Sequence, residues 1–327
     1  MSGEIALFDA GGRTAIVAAA TLDGIAGAAI WAGRRAPVKT LLFAPEGQTG
    51  PAFAAPALAA PDVARLYGLG LPLIAGDLPA VATAFGRAGL AETVWLDHHY
   101  IHAEHAAELR RRGAHVVNDP ARDDSTDLLL WYLGRPQDWE LALAQALRDD
   151  PENAPEPWRS WMYVFLATQS EPFAIRRAIQ PLTEQRFEAY DPALREAGET
   201  RWREVREFAA GAIHETAVGD RRLAIVGLPP SAQNDYRLLA DAVLRRRGVD
   251  LALVFFDGVP RLALRRLPVA APGDDFPALA DLPLAPGGRA YLYDRNTLFL
   301  ETSAAGPLAD LGHVVDALRA HFAETQP

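Results

Sequence analysis

The feature that most constrains the fold is an alternation of short apolar runs with longer amphipathic stretches between the N-terminus and Leu133. The runs have the length and composition of buried strands, and the stretches place apolar residues at helical spacing. Such an alternation predicts a parallel, doubly wound α/β sheet with helices on both faces. The predicted strands are Ile5–Phe8, Thr14–Ala18, Thr40–Phe43, Leu71–Ala75, Thr93–Leu96 and His115–Val117, and the predicted helices are Ile25–Ala32, Pro79–Ala88, His102–Arg112 and Thr126–Leu133.

The rest of the chain becomes helical and then returns to a strand-and-helix pattern. Helices are predicted at Trp139–Arg148, Trp158–Ala167, Arg201–Ile213, Asp235–Arg247 and Leu308–Phe322, strands at Arg222–Val226, Leu251–Phe256, Arg261–Leu264, Tyr291–Tyr293 and Thr297–Glu301, and a loop at Pro268–Gly288. The change of pattern predicts an N-terminal domain over residues 1–195, a helical connector over 196–218 and a smaller C-terminal α/β domain over 219–327.

Composition excludes several classes of function. The formal net charge of −10 argues against an extended nucleic-acid surface or an anionic membrane surface, although a small phosphate pocket stays compatible with it. The absence of cysteine excludes disulfides, thiolate metal sites and cysteine nucleophiles. The N-terminus has no signal-peptide pattern, and Asp23 interrupts the most apolar stretch, Thr14–Gly33. We therefore expect a cytoplasmic protein with no membrane partner.

Acidic residues and histidines follow several of the predicted strands. Asp23 comes after Thr14–Ala18, Asp77 after Leu71–Ala75, and Asp97, His98 and His99 directly after Thr93–Leu96. Because ligands of open parallel sheets bind at the carboxyl ends of the strands, we expect these side chains to converge at one edge. Carboxylates and neutral imidazoles suit Mn²⁺ or a similar cation, which polarises phosphoryl oxygens and activates water.

The segment Trp95–His99, which reads Trp-Leu-Asp-His-His, resembles the name-giving motif of the DHH phosphoesterase superfamily. The order of the other motifs is similar: Asp23-Gly24 comes first, then Asp77, then the Asp-His-His triplet. The resemblance covers roughly residues 14–175. It implies a DHH-like N-terminal domain, a DHHA1-like C-terminal domain and hydrolysis of phosphoester or phosphoanhydride bonds at a two-metal site.

Several positions depart from the family's pattern. The first motif would normally supply a His and two Asp, but the matching residues are Ala19, Thr21 and Asp23. The best match to the fourth motif is Leu166–Ser170, followed by Phe173, and it has no Asp. The C-terminal Gly-Gly-His signature is also missing, because no His follows Gly287-Gly288.

The resemblance therefore implies at most one metal, Mn²⁺ or Mg²⁺, or none. Its ligands would be Asp23, Asp77 and His98, while His99 would contact phosphate and Asp97 would orient the motif. We expect a small phosphorylated ligand or a short oligonucleotide to bind in a cleft between the two domains, with weak single-metal hydrolysis at most. The alternative is a catalytically inactive descendant that acts as a phospholigand sensor or scaffold. A homodimer is compatible with either.

Simpler interpretations of the same residues stay open. Asp23 could be a helix N-cap, Asp77 could mark the entry to a helix, and Ser125-Thr126 could cap another. His99, His102 and His105 could form a different metal site, although their spacing lacks the zinc-peptidase pattern. The runs Arg110–Arg112 and Arg245–Arg247 could bind phosphate, but their placement favours solvated helix ends.

Overall fold

The structure is a computed structural model that describes residues 6–7, 11–35, 37–170, 175–229, 235–256, 259, 261–267, 276–282, 289–301 and 307–324. The chain divides into two compact units, Met1–Trp202 and Arg203–Pro327. The division falls inside a single long helix, Pro192–Ala210. Each unit is described by itself. Among the described residues, no helix is both long enough and apolar enough to cross a membrane.

The first unit contains a doubly wound sheet, as the alternation predicts. Its strand order is β1-β3-β2-β4-β5-β6, with five parallel strands and an antiparallel edge strand, β1. The carboxyl ends of the five parallel strands consequently lie at one edge of the sheet. The strands are β1 (Ala6–Leu7), β2 (Thr14–Ala19), β3 (Val38–Ala44), β4 (Arg65–Leu69), β5 (Glu92–Asp97) and β6 (His115–Asn118).

Helices cover both faces of this sheet because the side chains of its strands alternate between two apolar clusters. Ile16 and Ala18 of β2 belong to one cluster, whereas Ala15 and Val17 belong to the other. The helices are α1 (Leu22–Arg35), α2 (Thr49–Phe53), α3 (Leu78–Phe85), α4 (Ala103–Arg111), α5 (Ser125–Leu133), α6 (Asp138–Arg148), α7 (Trp158–Ser170), α8 (Ile175–Thr183) and α9 (Pro192–Ala210).

The packing of α1 illustrates how closely helix and sheet approach. Gly27 has no space for a side chain, since a Cβ there would lie 2.8 Å from Leu69 Cδ2. Trp31 is fully buried and stacks on Tyr67 of β4 with ring centroids 4.6 Å apart. Such an aromatic pair contributes about 0.5–1.5 kcal/mol beyond its area burial. Small residues along α1 therefore hold its N-terminal end close to the carboxyl edge of the sheet.

One predicted strand is wrong. Leu71–Ala75 is a loop, and the strand is the preceding segment, β4, which pairs with β2 and β5. Pro72 has no N–H to donate, which disfavours a central strand there. Position 68, inside β4, is a glycine because a Cβ there would come within 2.9 Å of the Trp95 ring. The need for glycine at position 68 comes from tertiary packing. A glycine inside the segment weakens the strand pattern that the sequence shows.

The second unit is a mixed sheet with helices, as its pattern predicts. The strand order is β11-β12-β10-β9-β8-β7, and β8–β9 is the parallel pair. The elements are β7 (His214–Val218), β8 (Arg221–Leu228), α10 (Tyr236–Arg247), β9 (Leu251–Phe256), β10 (Arg261–Arg265), a 3₁₀ segment (Phe276–Asp281), β11 (Arg289–Asp294), β12 (Thr297–Glu301) and α11 (Pro307–Glu324). Of the predicted loop Pro268–Gly288, all but residues 276–282 lies outside the described residues.

A buried arginine connects α10 to the strands of the second unit. Arg265 donates from Nε and Nη2 to the two carboxylate oxygens of Asp241, at 2.6 and 2.9 Å, and from Nη1 to Thr297 Oγ1 at 2.6 Å. Burial lowers the pKa of its guanidinium, but the charge and hydrogen bonds of Asp241 outweigh this and the pKa is raised. The geometry is a bidentate ion pair, which holds both side chains in one orientation.

Candidate metal centre

Asp97, His98 and His99 form a buried group at the carboxyl edge of the first sheet. Asp97 is the last residue of β5, and the two histidines continue past the strand end. Asp97 and His98 are fully buried and His99 is 2% exposed. One ligand atom from each residue lies within 4.8 Å of the others. The three side chains thus lie close enough together to share a ligand or an ion.

The carboxylate of Asp97 orients His99. Its Oδ1 accepts from the main-chain N of His99 at 3.3 Å and lies 2.6 Å from His99 Nδ1. Since a carboxylate only accepts, His99 carries its proton on Nδ1. Asp97 Oδ2 is buried and has no hydrogen-bond partner among the described residues. A buried acceptor left unpaired costs about 1–3 kcal/mol, which a bound cation or donor would offset.

Asn118 fixes the backbone that carries this group. It is the last residue of β6 and is directly opposite Asp97 in the parallel pair. Its Nδ2 donates to the carbonyl oxygens of Asp97 and His99, both at 2.7 Å. The sequence analysis did not single out Asn118. The sequence signal for Asn118 was a polar residue at the end of a short strand. Its hydrogen-bond partners depend on the β5–β6 register.

Asp23 comes to the same edge as His98, and Ser125 connects the two. Ser125 Oγ lies 3.2 Å from His98 Nδ1, and the main-chain N of Ser125 donates to Asp23 Oδ2 at 3.1 Å. The hydroxyl of Thr126 donates to the carbonyl of Asp23 at 2.8 Å. Two of the three predicted metal ligands are therefore joined through the first turn of α5.

The helix caps differ from those predicted. Asp124, rather than Ser125 or Thr126, caps α5: its Oδ1 accepts from Asp127 N at 2.7 Å. Asp23 lies inside the first turn of α1, and the hydroxyl of Thr21 accepts from Gly24 N at 3.2 Å. The Thr21 side chain reaches that donor from the position before the helix, where Asp23 cannot.

Asp124 and Asp23 interact through their charges. Burial raises the pKa of Asp124 to about 7, and the negative charge of Asp23 contributes to the same shift. Near neutral pH a proton or a cation would relieve the repulsion between the two carboxylates. The structure thus adds a second acidic side chain beside Asp23.

Asp77 occupies a different position at the start of α3. It is mostly buried, and its Oδ1 accepts from the main-chain N of Gly50 in α2 at 2.9 Å. Burial raises its pKa, and the bond from Gly50 partly opposes the shift. Asp77 is not a member of the Asp97–His98–His99 group. Because β4 ends at Leu69, the residue that directly follows this strand is Gly70. The role of Asp77 as a metal ligand stays a prediction.

The segment that best matches the fourth motif lies against the loop after β2. Gln169 Nε2 donates to the carbonyl of Ala20 at 3.2 Å, while the hydroxyl of Thr168 donates to Val164 within α7. The amide of Gln169 therefore lies near the place where the resemblance would put a carboxylate. Phe173 and Gly287-Gly288 lie outside the described residues.

The alternative sites gain no support. His102 is exposed at the N-cap position of α4, and its ring lies 5.3 Å from that of His105. Neither belongs to the group around His98. Arg110 and Arg111 lie in the last turn of α4, and Arg245–Arg247 lie in the last turn of α10. Both runs are therefore at helix ends, where basic residues are favoured by the helix dipole.

The donor set at the edge of the first sheet fits one divalent cation. His98 Nδ1 lies beside Ser125, so Nε2 is the ring nitrogen of His98 that would coordinate. Metal-binding histidines are usually held through their second nitrogen in this manner. Asp97 Oδ2 and the carboxylate of Asp23 would supply oxygen, a combination suited to Mn²⁺.

Sequence comparisons find no relative: no family model matches the chain, and no curated protein matches it. Solved structures do match. PggH from Vibrio cholerae, described as a pGpG-specific phosphodiesterase, is 10% identical, with a TM-score of 0.50 over 96% of this chain and 100% of PggH. RecJ from Thermus thermophilus, in complex with Mn²⁺, is 15% identical, with a TM-score of 0.45 over 97% of this chain and 53% of RecJ.

CDC45 from Entamoeba histolytica is 8% identical, with a TM-score of 0.42 over 94% of this chain and 95% of CDC45. The chain spans about half the length of the RecJ structure. The likeness to PggH extends over nearly all of both chains and shows that the two share a fold. The two-unit α/β architecture is the one that the sequence predicts.

Proposed function

We propose that the chain binds a phosphorylated ligand at the carboxyl edge of its first sheet, with the help of one Mn²⁺ or Mg²⁺. The observation that carries this proposal is the buried Asp97–His98–His99 group in a DHH-type fold. A buried cluster of ionisable side chains has a high desolvation cost, which binding of an ion would offset. No structural role within the sheet requires two adjacent buried imidazoles.

Each residue has a distinct role in the proposal. His98 and Asp23 hold the cation, and Asp77 is the third ligand that the motif resemblance implies. Asp97 keeps its proposed orienting role, since its Oδ1 bonds to His99, and its Oδ2 points to a further contact with the cation. His99, held through Nδ1 by Asp97, contacts a phosphate oxygen by donating from Nε2 in its imidazolium form. A bound cation at such a site polarises the phosphoryl group and lowers the pKa of water.

The proposed ligand is a short nucleotide chain. PggH is described as acting on pGpG, and its fold is shared over most of this chain. The net charge of −10 disfavours long nucleic acids, because their binding depends on many phosphate contacts. A dinucleotide with a single phosphodiester needs only a local site.

A second candidate is binding without turnover. Gln169 stands near the site where an acidic residue is expected, and Ala19 and Thr21 replace two first-motif ligands. A single cation cannot stabilise both the attacking and the leaving oxygen, as a pair of metals does. In this alternative the site recognises a phosphorylated ligand and releases it unchanged.

The test is Mn²⁺ titration of the full chain by calorimetry, followed by incubation with pGpG, short oligonucleotides and pyrophosphate. We expect one Mn²⁺ per chain, with His98→Ala weakening its affinity by more than about 100-fold. The matched control is His102→Ala, an exposed histidine outside the group, which should bind as the unsubstituted chain does. Asp77→Asn decides whether Asp77 is a ligand.

The outcomes separate the two candidates. Mn²⁺-dependent release of mononucleotides supports hydrolysis, whereas pGpG binding without products supports the non-catalytic alternative. If the unsubstituted chain binds neither Mn²⁺ nor any of the three phosphorylated ligands, the proposal is overturned.

A further inference from the structure

We infer that Ser125 is a positioning residue that sets the orientation and tautomer of His98 and couples that imidazole to Asp23. The inference rests on the proposed function, because it assigns a purpose to the contacts of two proposed metal ligands. Ser125 is not part of the motifs from which those ligands were predicted. It comes from α5, whereas Asp23 comes from α1 and His98 from the end of β5.

The two contacts of Ser125 use different parts of the residue. Its main-chain N–H donates to Asp23 Oδ2 at 3.1 Å, and its side-chain Oγ lies 3.2 Å from His98 Nδ1. Ser125 is 1% exposed, so water does not compete for either contact. Because the first residues of a helix have N–H groups with no partner inside the helix, the bond to Asp23 also satisfies the start of α5.

The neighbouring histidine shows what such a contact does. His99 Nδ1 is held by the carboxylate of Asp97 at 2.6 Å, which leaves Nε2 with the lone pair. Ser125 occupies the corresponding place for His98. When its hydroxyl accepts from Nδ1–H, His98 Nε2 likewise carries the lone pair that a cation needs. The imidazoles of His98 and His99 are thus each held through Nδ1, one by Ser125 and the other by Asp97.

Gly70 makes room for this arrangement. It follows β4 with φ +65°, a backbone conformation that residues other than glycine rarely adopt. A Cβ at this position would lie 2.0 Å from Ser125 Oγ and 2.9 Å from Ser125 Cβ. The space beyond the end of β4 is therefore filled by the serine hydroxyl from α5, and a side chain at position 70 would displace it.

The test combines Ser125→Ala with a matched serine. Ser125→Ala removes Oγ but keeps the N–H that bonds to Asp23. Ser160→Ala is the control, because Ser160 of α7 is also fully buried but bonds to Glu156, which precedes that helix, and to Arg195 of α9. We expect Ser125→Ala to weaken Mn²⁺ binding by about 10–100-fold, the usual effect of losing a partner of a metal ligand, and Ser160→Ala to leave it unchanged.

A second measurement follows the tautomer without metal. The chain is labelled with ¹⁵N-histidine, and His98 is assigned from the signal missing in His98→Gln. At alkaline pH with a chelator, the unsubstituted chain should show His98 with its proton on Nδ1. Ser125→Ala should shift His98 toward the other tautomer, while Ser160→Ala should not. A merely structural role of Ser125 would lower the unfolding temperature without changing the tautomer.

The inference is overturned if Ser125→Ala leaves the His98 tautomer unchanged. It is equally overturned if Ser125→Ala binds Mn²⁺ as tightly as the unsubstituted chain does. Failure of the proposed function looks different: the unsubstituted chain would bind no Mn²⁺, yet the metal-free spectra would still show Ser125 setting the tautomer of His98.

Discussion

The buried Arg265 of the second unit and the buried Asp97–His98–His99 group of the first unit differ in their hydrogen bonding. In the second unit, Arg265 is met by a bidentate contact with Asp241 and by a hydroxyl. In the first unit, the group of Asp97, His98 and His99 is as deeply buried, but Asp97 Oδ2 has no hydrogen-bond partner among the described residues. A matched ion pair stabilises a scaffold, whereas an incomplete polar group is prepared for a ligand. The difference makes the group in the first unit the candidate ligand site.

The largest expected effect comes from breaking the ion pair of the second unit. Arg265→Met removes this cation from the partly exposed carboxylate of Asp241 and from the buried carboxylate of Asp294, which lies 4.0 Å from Arg265 Nη1. We expect a loss of about 3–5 kcal/mol in the free energy of unfolding, measured by urea titration. Mn²⁺ affinity should not change while the chain is folded. A loss below about 1 kcal/mol would contradict the view of this pair as scaffold.

A large effect of pH is expected at the edge of the first sheet. Asp124, with its pKa raised to about 7 from an ordinary value of 3.8, takes up a proton on folding between these two values. Stability is therefore highest below about pH 4 for this group and falls as pH rises to about 7, by on the order of 2–4 kcal/mol. Urea unfolding with a chelator across this range measures the decrease.

Asp124→Asn is the matched variant for that measurement, because asparagine is as good an N-cap as aspartate. It should keep the bond from Asp127 N and flatten the pH dependence, so that the variant is more stable than the unsubstituted chain near neutral pH. Identical pH profiles of the two chains would show that Asp124 is not the titrating group.

A smaller effect on stability is expected at Asp97. Asp97→Asn loses a charge-assisted bond to His99 but replaces a buried carboxylate by a neutral amide, which costs less to bury. The free energy of unfolding should change by less than about 1 kcal/mol, while Mn²⁺ affinity falls at least about 10-fold. Substantial destabilisation with unchanged Mn²⁺ binding would remove the contrast between the two units.

The smallest effect is expected at an exposed ion pair. Arg319 contacts Asp316 one turn away on α11, at 3.1 Å, with both side chains solvated. Asp316→Ala, which leaves the hydrogen bonds of Arg319 to Thr216 and Ala217 in place, should change the free energy of unfolding by less than about 0.5 kcal/mol, and Mn²⁺ binding not at all. Comparison with Arg265→Met in the same urea titration shows how far burial, rather than charge alone, makes the difference.

Much of the fold could be predicted because local patterns agree with it. β2, β5 and β9 are apolar runs, and the helices after them have regular periodicity. β4 was misplaced, since its strand character depends on pairing with β2 and β5 and on the fit of Gly68 against Trp95. Short α2 and the edge strand β7 have patterns too weak to detect without their neighbours.

The candidate site was predictable where its residues directly follow predicted strands. Asp97, His98 and His99 are consecutive and follow an apolar strand, so they could be found without a structure. Asn118 and Ser125 reach the site through strand register and through helix packing, which leave no local signal. Sequence patterns therefore identify a ligand group more readily than they identify the residues that hold it in place.

The interlocking of Gly70 and Ser125 restricts how this site can change. A carboxylate side chain at position 70 would collide with Ser125. Loss of the Ser125 side chain alone would leave an unfilled gap beside His98. Evolutionary routes that place an acidic side chain directly after β4 must therefore pass through paired replacements. Among natural homologues, we expect a side chain at position 70 to occur together with a smaller residue at position 125.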